Sequence, residues 1–163
     1  MADRTYFQLV VADCPRHQAQ TVLDIIDEFD LGLDSCGDIT ELALGEAYTA
    51  NEIRCGSTEE IAEQLAETAP NASWECWEDP KYEWLGALVR FTPNLGLFTH
   101  DCDADGLARF TPKEVASLAV LPDTVDEPAR ARELGELHRE ALDRFIEMNR
   151  GLSVYPTDPG VTR

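Results

Sequence analysis

From Ser73 to Phe110 short apolar stretches alternate with turn signals: Trp74 and Cys76, a turn near Asp79-Pro80, Leu85/Ala87/Val89/Phe91, a turn at Pro93-Asn94, then Leu95 to Cys102. Period-two alternation joined by tight turns predicts an antiparallel meander, since a parallel pair needs a long crossover between its strands. A sheet with an apolar face must be covered, so the rest of the chain has to supply helices.

The amino-terminal half does so. Tyr6 to Val11 is β-branched and aromatic and reads as a strand; after Asp13-Cys14-Pro15, apolar residues recur at Ala19, Val22, Ile26 and Phe29, the spacing of a helix face. Pro15 suits the first helical position, with Cys14 at the N-cap. Asp30 to Thr40, rich in Asp and Gly, is loop, and Leu42 to Arg54 reads as a bent strand or hairpin broken at Gly45 and Asn51. Ser57-Thr58-Glu59-Glu60 predicts a capping box for a second helix with Ile61, Leu65 and Ala69 on its inner face, ended by Pro70-Asn71.

Beyond the meander, Asp103-Ala104-Asp105-Gly106 is a turn, and Thr111-Pro112-Lys113-Glu114 caps a short helix to about Val120. After a break at Leu121-Pro122, Pro128 opens a long amphipathic helix whose Leu134, Leu137, Ala141, Phe145 and Met148 form its inner stripe. The expected fold is a single α+β domain over residues 1–150. A mostly antiparallel sheet is packed by two helices of the amino-terminal half, with the short and the long helix at the carboxyl end. Residues 151–163, with two prolines, are expected to form a mobile tail.

Charge narrows the function. Between Asp24 and Glu83 there are seventeen acidic residues against two basic ones, net −15 of the chain's −19. Phosphates would be repelled by such a surface, which argues against direct nucleic-acid binding. No apolar run approaches the roughly 18–20 residues of a membrane span, and the amino terminus lacks the features of a signal peptide. Five cysteines, Cys14, Cys36, Cys55, Cys76 and Cys102, without a C-x-x-C pair, read as free thiols of a reducing compartment. A soluble cytoplasmic protein with no membrane partner is the expectation.

Three constellations bear on chemistry. Cys14, at a predicted helix amino terminus with His17 three residues on, is the candidate nucleophile, because a helix dipole and an imidazolium both favour thiolate. Asp101, Asp103 and Asp105 before Gly106 imitate the start of a calcium loop, but Pro112 stands where the bidentate Glu belongs when Asp101 is the first position. Zinc would need paired Cys/His ligands; Cys14-x-x-His17 is the sole short pair, and Cys76, His100 and Cys102 converge only if their strands are adjacent on one face. With no phosphate loop, G-x-S-x-G or H-E-x-x-H, no metal or cofactor is expected. A fourth feature concerns recognition: Trp74, Trp77, Tyr82 and Trp84 interleave with Glu75, Glu78, Asp79 and Glu83, a composition of either core strand or arginine-gripping patch.

The favoured reading is a non-enzymatic acidic protein that binds a basic protein surface, in the manner of nucleic-acid-mimicking inhibitors or accessory proteins of phages and plasmids. Its expected face is Asp24, Asp27 and Glu28 of the first helix with Glu59, Glu60, Glu63 and Glu67 of the second. The alternatives are a small enzyme using Cys14 with His17, and a scaffold that forms a homodimer through residues 128–150.

Overall fold

A computed structural model describes residues 3–34, 39–119 and 127–156. The fold is α+β. Its main sheet has five antiparallel strands in the order β3-β1-β4-β5-β6, where β1 is Arg4–Asp13, β3 Ala47–Arg54, β4 Ser73–Glu78, β5 Gly86–Thr92 and β6 Gly96–Cys102. The meander β4-β5-β6 follows from the turn signals, with Trp74 opposite Phe91 and Arg90 opposite Phe98.

Each face of this sheet carries a core, although Leu97, Thr99 and Asp101 on the edge strand β6 stay exposed. On one, Phe7, Leu9 and Val11 of β1, Trp74 and Cys76 of β4 and Val89 of β5 join Ala19, Val22, Ile26, Ile61 and Leu65 in the main core. Those last five come from α1 (Arg16–Glu28) and α2 (Ser57–Thr68), which pack side by side. On the other face Trp77, Leu88, Phe98 and Cys102 form a smaller core with Tyr6, Ala108 and Phe110. There α3 (Pro112–Ala119), α4 (Glu127–Glu133) and α5 (Glu136–Asn149) follow the meander, and α5 lies against β1, β4 and β5. Among the described residues no helix is long and apolar enough to cross a membrane.

Several local expectations are corrected. Pro15 is the N-cap of α1, extended at φ −68°, ψ 143°, and Arg16 is the first helical residue. The Ser57 capping box does not form. Instead the chain enters α2 through Gly56 in the left-handed region (φ 87°), and the carboxylate of Glu78, 2% exposed at the end of β4, caps the helix. Its Oε1 accepts from Gly56 N–H (2.8 Å), and its Oε2 accepts from Thr58 N–H (3.2 Å) and from the Thr58 hydroxyl (2.8 Å). A full negative charge with three donors at the positive end of a helix outcompetes a neutral serine.

The segment Leu42 to Arg54 is not one bent strand or hairpin. β2 (Leu42–Ala43) belongs to a separate ribbon with β7 (Ser153–Val154), and Gly45 (φ 75°) turns the chain into β3. The stretch expected to be a mobile tail therefore begins with a paired strand, while residues 157–163, like the expected break at Leu121-Pro122, lie outside the described residues.

The long helix from Pro128 is broken at Gly135 (φ 70°), whose carbonyl accepts from Arg90 (3.2 Å) and against which the Phe98 ring closes, leaving no room for a Cβ. Arg90 is 6% exposed and also pairs with Glu75. Restarting there rotates α5, so that His138 and Leu142 are its buried residues and Asn149 donates to Ala12 O (2.9 Å). The expected inner stripe of Leu137, Ala141, Phe145 and Met148 instead lines a half-open groove. The Thr111/Glu114 capping box of α3 forms as expected, Thr111 N–H donating to Glu114 Oε2 (2.6 Å) and Glu114 N–H to the Thr111 hydroxyl (3.3 Å).

The Glu78 cap generates a prediction. Glu78→Ala strands two helix N–H groups and should lower the unfolding free energy by about 2–4 kcal/mol, and Glu78→Gln by about 1–2. Urea unfolding of both variants checks this; two losses below about 0.5 kcal/mol would remove the carboxylate's role.

Candidate functional site

The α1–α2 layer carries the expected acidic face. Asp24, Asp27 and Glu28 on α1 and Glu59, Glu60, Glu63 and Glu67 on α2 are all exposed, because the apolar spacing of each helix turns its other face to the core. Among the described residues none of the seven forms an ion pair; Asp24 accepts one hydrogen bond, from Gln20 (2.7 Å). Asp27 and Glu28 end α1, and Glu67 lies in the last turn of α2, with no basic residue in either last turn. Acid at a helix carboxyl end opposes the dipole, so three of these charges are placed against local stability.

At the edge of the layer an open cleft of about 890 Å³ runs between the end of α1 and strand β3. Glu28, Asp30, Asp34, Glu52 and Glu60 line it, against Arg4 and Arg54. Arg4 is in part engaged, donating to the Glu52 carbonyl (2.8 Å).

The interleaved aromatics divide. Trp74 and Trp77 are buried on opposite faces of the sheet, while Tyr82 (82% exposed) and Trp84 (50%) stand in solvent beside Leu85 (65%), on the turn joining β4 to β5.

Cys14 is buried at the entrance of α1. The side chain is 5% exposed, and burial, followed by the charge of Asp13, pushes its thiol up to about 12, the reverse of an activated thiolate. The predicted partner His17 is exposed, and the Cys14 thiol donates to the Pro15 carbonyl (3.5 Å). Cys76 and Cys102 are likewise pushed up, first by burial.

Asp103 spends its carboxylate on the turn. It accepts from Leu107 N–H (2.9 Å) and Asp105 N–H (3.0 Å) and pairs with Arg109 (2.7 Å), and these contacts, Leu107 first, hold it below its ordinary value. Asp101 and Asp105 add no ligand geometry to it: among the described residues no group of three or more His, Cys, Asp or Glu could hold a metal ion. Cys76 faces the main core while His100 and Cys102 face the other side of the sheet, so adjacency in the meander does not bring them together.

A second cleft, about 780 Å³, was not visible in the sequence. It contains His100, whose Nε2 is 3.4 Å from Glu114 Oε1, and His138, whose Nε2–H donates to the Gly96 carbonyl (3.1 Å). Burial first, then Arg90 and Arg132, lower His138, against the raising effect of that bond. Ser117 in this cleft already donates to the Lys113 carbonyl (2.9 Å). The histidines arrived here from two elements, β6 and α5, whose contact no spacing could announce.

No protein-family model matches the chain, and neither a curated protein nor a solved structure matches it.

A labelling experiment checks the thiol. With a maleimide at neutral pH, Cys14 in the folded protein should react far more slowly than in the denatured chain, as located by peptide mass spectrometry. Labelling of Cys14 faster than that of a free thiol would restore the nucleophile reading.

Proposed function

We propose that this protein is a non-enzymatic binder of a basic protein surface, with the α1–α2 layer as its contact face and its carboxylates standing where a nucleic acid would place phosphates. The observation that carries the reading is the set of seven exposed acids, none of which forms an ion pair among the described residues, three of them at the unfavourable ends of their helices. Local rules broken without internal compensation mark positions kept for something outside the fold. A cationic partner supplies the compensation, and a field of one sign speeds its encounter.

The thiol-enzyme alternative loses its support with the burial of Cys14. The self-association reading keeps one observation: the groove of about 480 Å³ lined by Leu95, Leu137, Ala141, Phe145 and Met148, on the opposite side of the sheet from the acidic layer. Residues 127–150 carry six acids and five arginines, so two copies meeting there face little repulsion.

Two tests separate these. Capture from a host lysate is run side by side with the wild-type protein and with Glu59→Lys, Glu60→Lys, Glu63→Lys and Glu67→Lys combined. A basic protein held at low salt by the wild type alone, released at high salt, and associating at least about tenfold more slowly with the variant, is the expected result. Unchanged association kinetics would end the proposal. For self-association, Leu137→Glu should leave circular dichroism intact and convert any dimer seen by sedimentation to monomer; a wild type that sediments as a monomer at high concentration removes that reading.

A further inference from the structure

The turn between β4 and β5 is built differently from the rest of the surface. Lys81 and Trp84 exchange both backbone hydrogen bonds (2.9 and 2.8 Å), making a two-residue hairpin with Tyr82 and Glu83 at its tip. Tyr82 has φ 52°, one of two non-glycine residues with positive φ among the described residues, and Glu83 does not, the sign pattern of a type II′ turn whose first position ordinarily belongs to glycine. A bulky residue in that conformation is strained, and retained strain points to function.

The strain presents apolar surface outward. Tyr82, Trp84 and Leu85 are 82%, 50% and 65% exposed, with the carboxylate of Glu83 between the two rings in sequence. A cation already lies on one ring: Lys81 Nζ is 5.6 Å from the centroid of Tyr82. The tip follows β4, which ends at Glu78, whose carboxylate holds the entrance of α2.

We propose that the Tyr82–Leu85 tip is an aromatic anchor for an arginine side chain of the basic partner, the guanidinium stacking on Trp84 or Tyr82 while a carboxylate takes its N–H groups. This rests on the proposed function and adds to it: the acidic face attracts any cation, whereas the tip selects arginine over lysine. A guanidinium is planar, weakly hydrated and able to stack and hydrogen-bond at once; an ammonium is a strongly hydrated point charge. Tyr and Trp with a polar rim are also the composition of interface hot spots.

The test is titration calorimetry at low salt with an oligo-arginine and an oligo-lysine peptide of equal length, supported by tryptophan fluorescence. Trp74 and Trp77 are buried, so a binding signal at the surface reports Trp84. The expected result is roughly 3- to 30-fold tighter binding of oligo-arginine, erased by Trp84→Leu combined with Tyr82→Gly while oligo-lysine affinity stays unchanged. Both substitutions suit the fold, leucine by replacing an exposed side chain and glycine by fitting the backbone at Tyr82. Equal affinity for the two peptides, or an arginine preference that survives in the double variant, overturns the anchor; if the α2 charge-reversal variant then still loses both peptides, the acidic-face reading stands alone. Binding of neither peptide overturns both. A blue shift of Trp84 on zwitterionic vesicles, absent from Trp84→Leu, reassigns the tip to a lipid surface and overturns it as well.

Discussion

The carboxylate of Glu78 is the interaction on which the α1–α2 half of the molecule depends. It is buried at the end of the central strand, and it takes three hydrogen bonds from the entrance of α2. Alone, a buried charge would be destabilising; here the donors and the positive end of the helix replace the water it lost. The bond also decides direction. With α2 tied at its first turn to β4, Ile61 and Leu65 must turn inward, and Glu59, Glu60, Glu63 and Glu67 can only face solvent. The chain leaving Glu78 then runs into the aromatic hairpin closed by Lys81 and Trp84.

The sheet divides the molecule electrostatically. On one side lie α1 and α2, which hold seven exposed acids and one arginine, Arg16. On the other, Arg90 is buried against Glu75, Phe98 and the Gly135 carbonyl, and α4 and α5 mix acids with arginines. Acids and arginines are thus close to balanced on one face and not on the other. Uniform solubilising charge would be spread over both; a one-sided excess produces a field with a direction.

The elements that were legible in the sequence are those whose causes are local. Alternation and turns located β4, β5 and β6, and Thr111 with Glu114 capped α3, because donor and acceptor lie three residues apart. The illegible ones have distant causes. Ser57 offered a local cap, but its competitor sits some twenty residues away on a strand. β2 pairs with β7 across more than a hundred residues, a partnership that no pattern in Leu42–Leu44 could state. The break of the expected long helix at Gly135, with rotation of the buried face from Leu137 to His138, follows from Arg90 and Phe98 docking on the opened turn. The acidic face itself was legible because an exposed helix face is the complement of an apolar stripe; the two histidines of the second cleft were not, since β6 and α5 meet only in the folded chain.

The aromatic cluster shows why spacing alone could not separate core from surface. Trp74 and Trp77 are three apart on one strand and so point to opposite faces, which in a sheet covered on one side would leave one of them wet; here both are buried because both faces carry helices or loops. Tyr82 and Trp84 escape burial since the hairpin carries them past the end of that covering. On the proposed reading the two parts of the surface act at different ranges. Charge on α1 and α2 works out to about a Debye length, roughly 8 Å at physiological salt, and treats every cation alike. Discrimination requires contact, a rigid apolar surface and a fixed geometry. A hairpin closed by two backbone hydrogen bonds, with its strained tyrosine and its tryptophan turned outward, meets those requirements.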